Sequence, residues 1–250
     1  MLVPNLALPS RSSPLAANVR AVLDRIADAA RRGGREPQAV RLVAVTKSVS
    51  PAVAAEIVRL GVTDLGENRA DRFEAKVAEL AAGHVAPRWH FVGHLQRNKA
   101  RAVAQHAALV HSVDSERLLD TLDRLAGEFG RELEVLAQVK LADETTKSGL
   151  DPRELAAFLA RGRGAKNVRV VGLMAMGPLA EDSAAQRERA RAVFRRAAEL
   201  AREHAASFAR APELSIGMSD DFEIAVEEGA TLVRVGSRLF EGLPNEMETS

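Results

Sequence analysis

Leu42-Val43-Ala44-Val45-Thr46-Lys47 is the run on which the reading of the fold turns. It is apolar and β-branched, and it ends on a lysine. Ser48 and Ser50-Pro51 follow as a polar break and a helix start. A short continuous apolar run between polar breaks reads as a strand buried on both faces, the habit of parallel sheets. Proline suits the first turn of the helix that follows. Lys47 therefore stands at the carboxyl end of a first strand, on the rim where α/β folds bind ligands. A lysine in a partly dry site releases its proton more readily, and the neutral amine can attack an aldehyde to form a Schiff base. On this run alone, a strand-end lysine pointing at water is the plainer reading.

Outward from that strand, helical and extended patterns alternate. Leu15, Val19, Val22, Leu23 and Ile26 recur on one face of a helix over 14–32, and Gly33-Gly34 stops it. Downstream, helices are expected over 51–60, 70–81, 98–106, 115–129, 152–161, 183–208 and 220–228. Ser115 is expected to cap one of them, and Asp220 with Glu223 to form a capping box on another. Strands are expected over 62–65, 88–92, 109–111, 134–139, 168–173, 213–216 and 231–235. Such alternation implies parallel strands with right-handed crossovers. Eight βα units in 250 residues match a single (β/α)8 TIM barrel of the α/β class, preceded by one extra helix. An open doubly wound sheet is the alternative. Residues 1–13 read as a disordered tail, and 14–245 as one barrel domain.

The net charge of +1 does not suggest a nucleic-acid groove. The absence of cysteine excludes disulfides and thiolate chemistry. No apolar run approaches membrane length. Tyrosine is also absent.

A barrel gathers strand-end residues on one face: Lys47, Asn68, His90 or His94, Lys147, Met174, Ser219, Arg234, Gly236 and Ser237. Gly217-Met218-Ser219-Asp220 and Val235-Gly236-Ser237 follow the last two strands, where such barrels often hold a phosphate. Singly, Ser219 and Asp220 only cap a helix and Gly236 only turns the chain; as a pair at neighbouring strand ends they favour phosphate. Asp220 and Asp221 would repel it unless their carboxylates point away. An inward Arg234 needs an acceptor or an anion, either a pyridine nitrogen or a carboxylate such as Glu213. His90 and His94 are four apart, but they fall on a strand and its end, which does not suit a metal pair.

Val45-Thr46-Lys47, Gly66-Glu67-Asn68, the block from Trp89 to Lys99, Lys147-Ser148-Gly149-Leu150, Gly172-Leu173-Met174, Leu214 to Phe222 and Val233-Arg234-Val235-Gly236 together closely resemble the pyridoxal 5′-phosphate (PLP) homeostasis protein family. The resemblance runs from about Leu15 to Gly242. It implies a fold-type III PLP-binding barrel like the N-terminal domain of alanine racemase. It implies that Lys47 holds PLP as a Schiff base and that Ser219, Gly236 and Ser237 grip the phosphate. Arg234 would face the pyridine nitrogen, and Asn68 and Met218 would line the pocket. Lys147 matches a second lysine near the site, implicated in handing PLP on. Departures stand at Lys140, Thr146 and Met176-Gly177-Pro178.

The function so implied is storage or delivery of PLP in cytoplasmic vitamin B6 homeostasis, by a monomer without robust catalysis. Its partners would be PLP and PLP-dependent apo-enzymes, with no nucleic acid, membrane or metal. The competing function is an amino-acid racemase. Racemases of the resembling fold add a C-terminal β-domain and use a tyrosine base, whereas about a dozen residues follow Arg238 and no tyrosine is present. An arginine at the ring nitrogen also weakens the ring as an electron sink. A barrel enzyme acting on phosphosugars is the third possibility.

Overall fold

The computed structural model describes residues 13–141, 148–178 and 183–243. Eight parallel strands close in chain order into a barrel. They are β1 (Arg41–Val45), β2 (Asp64–Glu67), β3 (Arg88–Phe91), β4 (Leu109–Val113), β5 (Leu133–Gln138), β6 (Val168–Met174), β7 (Glu213–Ser215) and β8 (Leu232–Val235). The ring closes where β1 pairs with β8, Arg41 opposite Leu232 and Ala44 opposite Val235. The helices are α1 (Pro14–Arg32), α2 (Pro51–Arg59), α3 (Ala70–Ala82), α4 (Ala100–His106), α5 (Glu116–Glu128), α6 (Leu155–Arg163), α7 (Ala184–Glu203) and α8 (Phe222–Glu227). The chain is thus a (β/α)8 barrel, and the open sheet is excluded.

Two apolar layers hold it. Val43, Leu109, Leu136, Val171, Met174 and Leu232 fill the barrel interior. A larger layer, with Phe73, Trp89, Phe91, Phe158 and Phe194, lies between strands and helices. Strands covered on both faces in this way need apolar residues at nearly every position, which is why β1 shows no alternation. The amino end of the barrel is tied by ion pairs. Arg41 bridges Glu213 at 2.6 Å and Asp64 at 3.5 Å, Arg210 bridges Glu134 and Glu213, and Arg88 reaches Glu134.

The extra helix α1 packs beside α8, which spans only six residues and leaves the β8–β1 side thinly covered. Arg25 pairs with Glu223 at 2.8 Å and stacks over Phe222. Arg32 reaches Glu227, and Asn18 donates to the Leu239 and Glu241 carbonyls. Leu23, expected on the buried face of α1, is 43% exposed, and Ala29 and Ala30 are buried instead. Ser13, which the sequence reading left in the tail, caps α1: its Oγ accepts from the Ala16 amide. The rest of that tail lies outside the described residues. Ser115 caps α5 as expected. The capping box expected at Asp220 and Glu223 does not form, because the helix starts later and Glu223 is held by Arg25. No helix of the described residues is long and apolar enough to cross a membrane.

Candidate functional site

β1 ends at Val45, two residues earlier than the sequence suggests, so Thr46 and Lys47 lie in the turn after the strand. The turn is anchored from below. The Thr46 amide donates to the Gly66 carbonyl at 2.9 Å, and its hydroxyl donates to Glu67 Oε1 at 2.7 Å. Buried Lys76 of α3 donates to that same Oε1 and to the carbonyls of Thr46 and Val49, at 2.7, 2.7 and 3.0 Å. An ammonium and a carboxylate thus meet in the wall beneath Lys47. The pair tolerates desolvation because its hydrogen-bonding capacity is nearly filled; Glu67 Oε2 has no partner among the described residues. Lys47 itself is exposed rather than sunk in a dry site.

Asn68 follows β2. Its backbone is pressed against Gly93: a Cβ on Gly93 would lie 2.0 Å from the Asn68 carbonyl oxygen, so only glycine lets the two turns approach. After β7, Gly217 has φ +86°, and a Cβ there would meet Ala225 and Phe222 of α8. This sets Met218, 41% exposed, at the rim and buries Ser219. After β8, the Gly236 amide donates to Ser219 Oγ at 3.3 Å, which joins the two turns. A Cβ on Gly236 would come within 3.0 Å of the Val45 carbonyl, so the β8 turn also presses against β1.

Of the two acidic residues here, Asp220 lines the cavity beside the hydroxyls, and both carboxylates have partners. Asp221 Oδ1 accepts the Met218 amide at 2.6 Å, and Asp220 Oδ1 faces Arg238 at 3.4 Å. Burial pushes the Asp221 carboxyl above its ordinary range, against the pull of the Met218 amide and Arg234.

Arg234 is 4% exposed. Its Nη1 donates to the Ser215 carbonyl at 2.8 Å and to Ser215 Oγ at 2.6 Å, and Nη2 donates to the Ala175 carbonyl at 3.2 Å. Burial lowers its pKa to about 10, partly countered by Asp221, and at neutral pH it remains a cation. The carboxylate alternative, Glu213, is instead engaged by Arg41, Arg210 and Thr231. Two of the five N–H donors of Arg234, on Nε and Nη2, have no partner among the described residues.

Lys47, Asn68, Met218, Ser219, Arg234, Gly236 and Ser237 all line one cavity of ≈ 540 Å³ at the carboxyl end of the barrel, a size suited to a small ligand. Val45, Val92, Met174 and Met176 add apolar wall. Gln138 and Ser148, which the sequence reading missed, also line it, with Gln138 Nε2 donating to the Ser148 carbonyl at 2.6 Å. The strand-end position of Gln138 was the available signal. The two histidines part company. His94 lines the cavity and approaches Asp114, whereas His90 lies inside the barrel, hydrogen-bonded through both ring nitrogens. Thr146 and Lys147 lie outside the described residues. The cavity therefore offers an amine, two hydroxyls and a buried cationic donor to one small molecule, with the Asp220 carboxylate also in its lining.

A family model described as "Alanine racemase, N-terminal domain" matches residues 17–244. The pyridoxal phosphate homeostasis protein of Aquifex aeolicus is 37% identical over 220 residues, 88% of this chain and 94% of that protein. The protein of the same name from Pseudomonas aeruginosa is 38% identical over 228 residues, covering 91% and 95%. PipY of Synechococcus elongatus, solved with PLP bound, superposes with a TM-score of 0.74 at 39% identity over 88% of this chain and 99% of that one.

Proposed function

The chain belongs to the pyridoxal phosphate homeostasis proteins of the alanine racemase N-terminal domain family, and from that premise we propose that it holds PLP on Lys47 as a Schiff base and stores or delivers it within the cell without turnover of its own. The observation that carries this is the convergence of Lys47, Ser219, Gly236, Ser237 and Arg234 on one cavity.

PLP has an aldehyde, a phosphate and a ring nitrogen, and the cavity has a chemically matched group for each. When bound, it supplies an electrophilic carbonyl carbon and a ring able to withdraw electrons. The Lys47 amine is the nucleophile. Ser219 and Ser237 hydroxyls are the donors for a phosphate, with the Gly236 amide holding Ser219 Oγ; Asp220, at the cavity lining, pairs with Arg238, and Asp221 is occupied by the Met218 amide. Arg234 offers its two remaining donors to an acceptor nitrogen. Because a guanidinium keeps its proton, it hydrogen-bonds the ring nitrogen without protonating it, which leaves the ring a poor electron sink. That arrangement, with no tyrosine in the chain to act as a second base, favours a carrier over a racemase.

The test is an absorbance titration with PLP, followed by borohydride reduction and mass spectrometry, on wild type and Lys47→Ala. Wild type is expected to turn yellow and to retain one PLP on the peptide containing Lys47, whereas Lys47→Ala traps none. Covalent trapping by Lys47→Ala would remove Lys47 from its role. Turnover of alanine or serine enantiomers on the order of 1 s⁻¹, an ordinary enzyme rate, would establish a racemase instead.

A further inference from the structure

Beneath the cavity, a file of polar side chains crosses the apolar barrel interior. Asp64 Oδ1 lies 2.8 Å from His90 Nε2, His90 Nδ1 lies 2.8 Å from His111 Nε2, and His111 Nδ1 lies 2.8 Å from Ser215 Oγ. Ser215 Oγ in turn accepts from Arg234 at 2.6 Å. His90, His111 and Ser215 are each 0% exposed, and Leu109, Leu136, Val171 and Met174 pack the same interior. The five residues come from β2, β3, β4, β7 and β8, so the file runs across the barrel from its amino-end ion pairs to the cavity.

Proton counting gives the file a direction. Arg234 can only donate, so one lone pair of Ser215 Oγ is engaged. Asp64 as a carboxylate can only accept, so His90 Nε2 must carry a proton. A neutral His90 then has a bare Nδ1, which must accept, so His111 Nε2 carries the proton of the second ring. His111 Nδ1 is then bare and accepts the Ser215 hydroxyl proton. Every donor points from Arg234 toward Asp64, and no other set of neutral rings satisfies both ends. Both rings are held neutral by burial. Arg41 and Arg88 reinforce this for both, and Arg234 and His90 do so for His111, while only Asp64 pulls His90 the other way.

We infer that Asp64, His90, His111 and Ser215 form a one-way hydrogen-bond relay of positioning residues that presents Ser215 Oγ to Arg234 purely as an acceptor, and so keeps the guanidinium's free donors turned into the cavity. The extension to the PLP ring nitrogen rests on the function proposed above; the direction of the relay does not.

Two measurements test it. In the PLP-free full chain, two-bond ¹H–¹⁵N correlation spectra should show His90 and His111 both neutral with the proton on Nε2, unchanged between about pH 6 and 8, where a free histidine titrates. An Nδ1–H form or an imidazolium on either ring overturns the relay. In PLP titrations, Ser215→Ala should bind about tenfold more weakly, the scale of one charge-assisted hydrogen bond, with a shifted absorbance maximum. Ser215→Thr, which keeps the hydroxyl, should restore both. Wild-type affinity and spectrum in Ser215→Ala would end the positioning role. A wild-type chain that takes up no PLP would strike the proposed function, leaving the ¹⁵N spectra to decide the relay.

Discussion

Replacing Arg234 by glutamine keeps a planar amide and removes the charge. The guanidinium is a buried cation in the cavity wall with two N–H donors that have no partner among the described residues, and a hydrogen bond to a charged group contributes about 1.5–3 kcal/mol. Arg234→Gln is therefore expected to weaken PLP binding by roughly 10- to 100-fold, read as Kd in an absorbance titration. Covalent capture by Lys47 should survive at high PLP, since the two residues act on different atoms of the ligand. An unchanged Kd would mean that Arg234 serves only Ser215 and Ala175. At this scale the sequence was informative about residue types and poor about parity. Lys47 and Arg234 could be placed because an apolar strand leaves a charged residue at or beside its end little alternative. His90 could not be assigned, because inward-facing strand positions differ only in depth along the barrel, and His90 lies below the rim, between Asp64 and His111. Asp221 showed no sign in the sequence of being buried beside Arg234.

At the scale of elements, the turn that bears Lys47 depends on a helix that carries no cavity residue. Lys76 of α3 ties down the Thr46 and Val49 carbonyls and neutralises Glu67. Lys76→Met leaves that carboxylate buried and unpaired, a loss of about 3–5 kcal/mol for a pair of this kind. Chemical denaturation should show that drop, and Lys76→Met combined with Glu67→Leu should recover much of it. If the single variant costs under ~1 kcal/mol, where surface pairs fall, the clamp is unimportant. The β2 and β3 turns make a second such joint. Gly93→Ala puts a methyl carbon 2.0 Å from the Asn68 carbonyl, so one turn must move. A stability loss of about 1–3 kcal/mol is expected, together with weaker PLP uptake; near wild-type values for both would show that the turns are loose. These joints were hidden in the sequence, where Lys76 reads as one more charged position on an amphipathic helix.

For the whole molecule, pH decides between buried groups of opposite tendency. His90 and His111 are kept neutral by burial, so the unfolded chain binds protons that the fold refuses once pH falls below the free value of about 6.5. Burial would raise Asp64 and Glu213, but hydrogen bonds from His90 and Thr231 and the nearby arginines outweigh it and hold both below their usual range. Their contribution is complete above about pH 4 and is lost below it. Asp221, raised, acts with the opposite sign and favours the fold most at low pH. Stability should thus be level from neutral pH upward, decline from about pH 6.5, and fall again below about pH 4. Scanning Tm against pH checks this, and His111→Phe should flatten the upper decline. A wild-type profile level down to pH ~5 would contradict the neutral-ring assignment.

The order of helices and strands, the alternating α/β class with its parallel strands and the residue types waiting at strand ends were legible in the sequence, because local periodicity and turn chemistry act over a few positions; that the sheet closes rather than stays open was shown by the structure. Which of those groups touch was decided by closure of the barrel. His111 and Ser215 are 104 positions apart and meet only because strand tilt and register, fixed when β8 pairs with β1, bring both into one interior. A hydrogen bond requires placement within a few tenths of an ångström, and no pattern along a single chain carries that information.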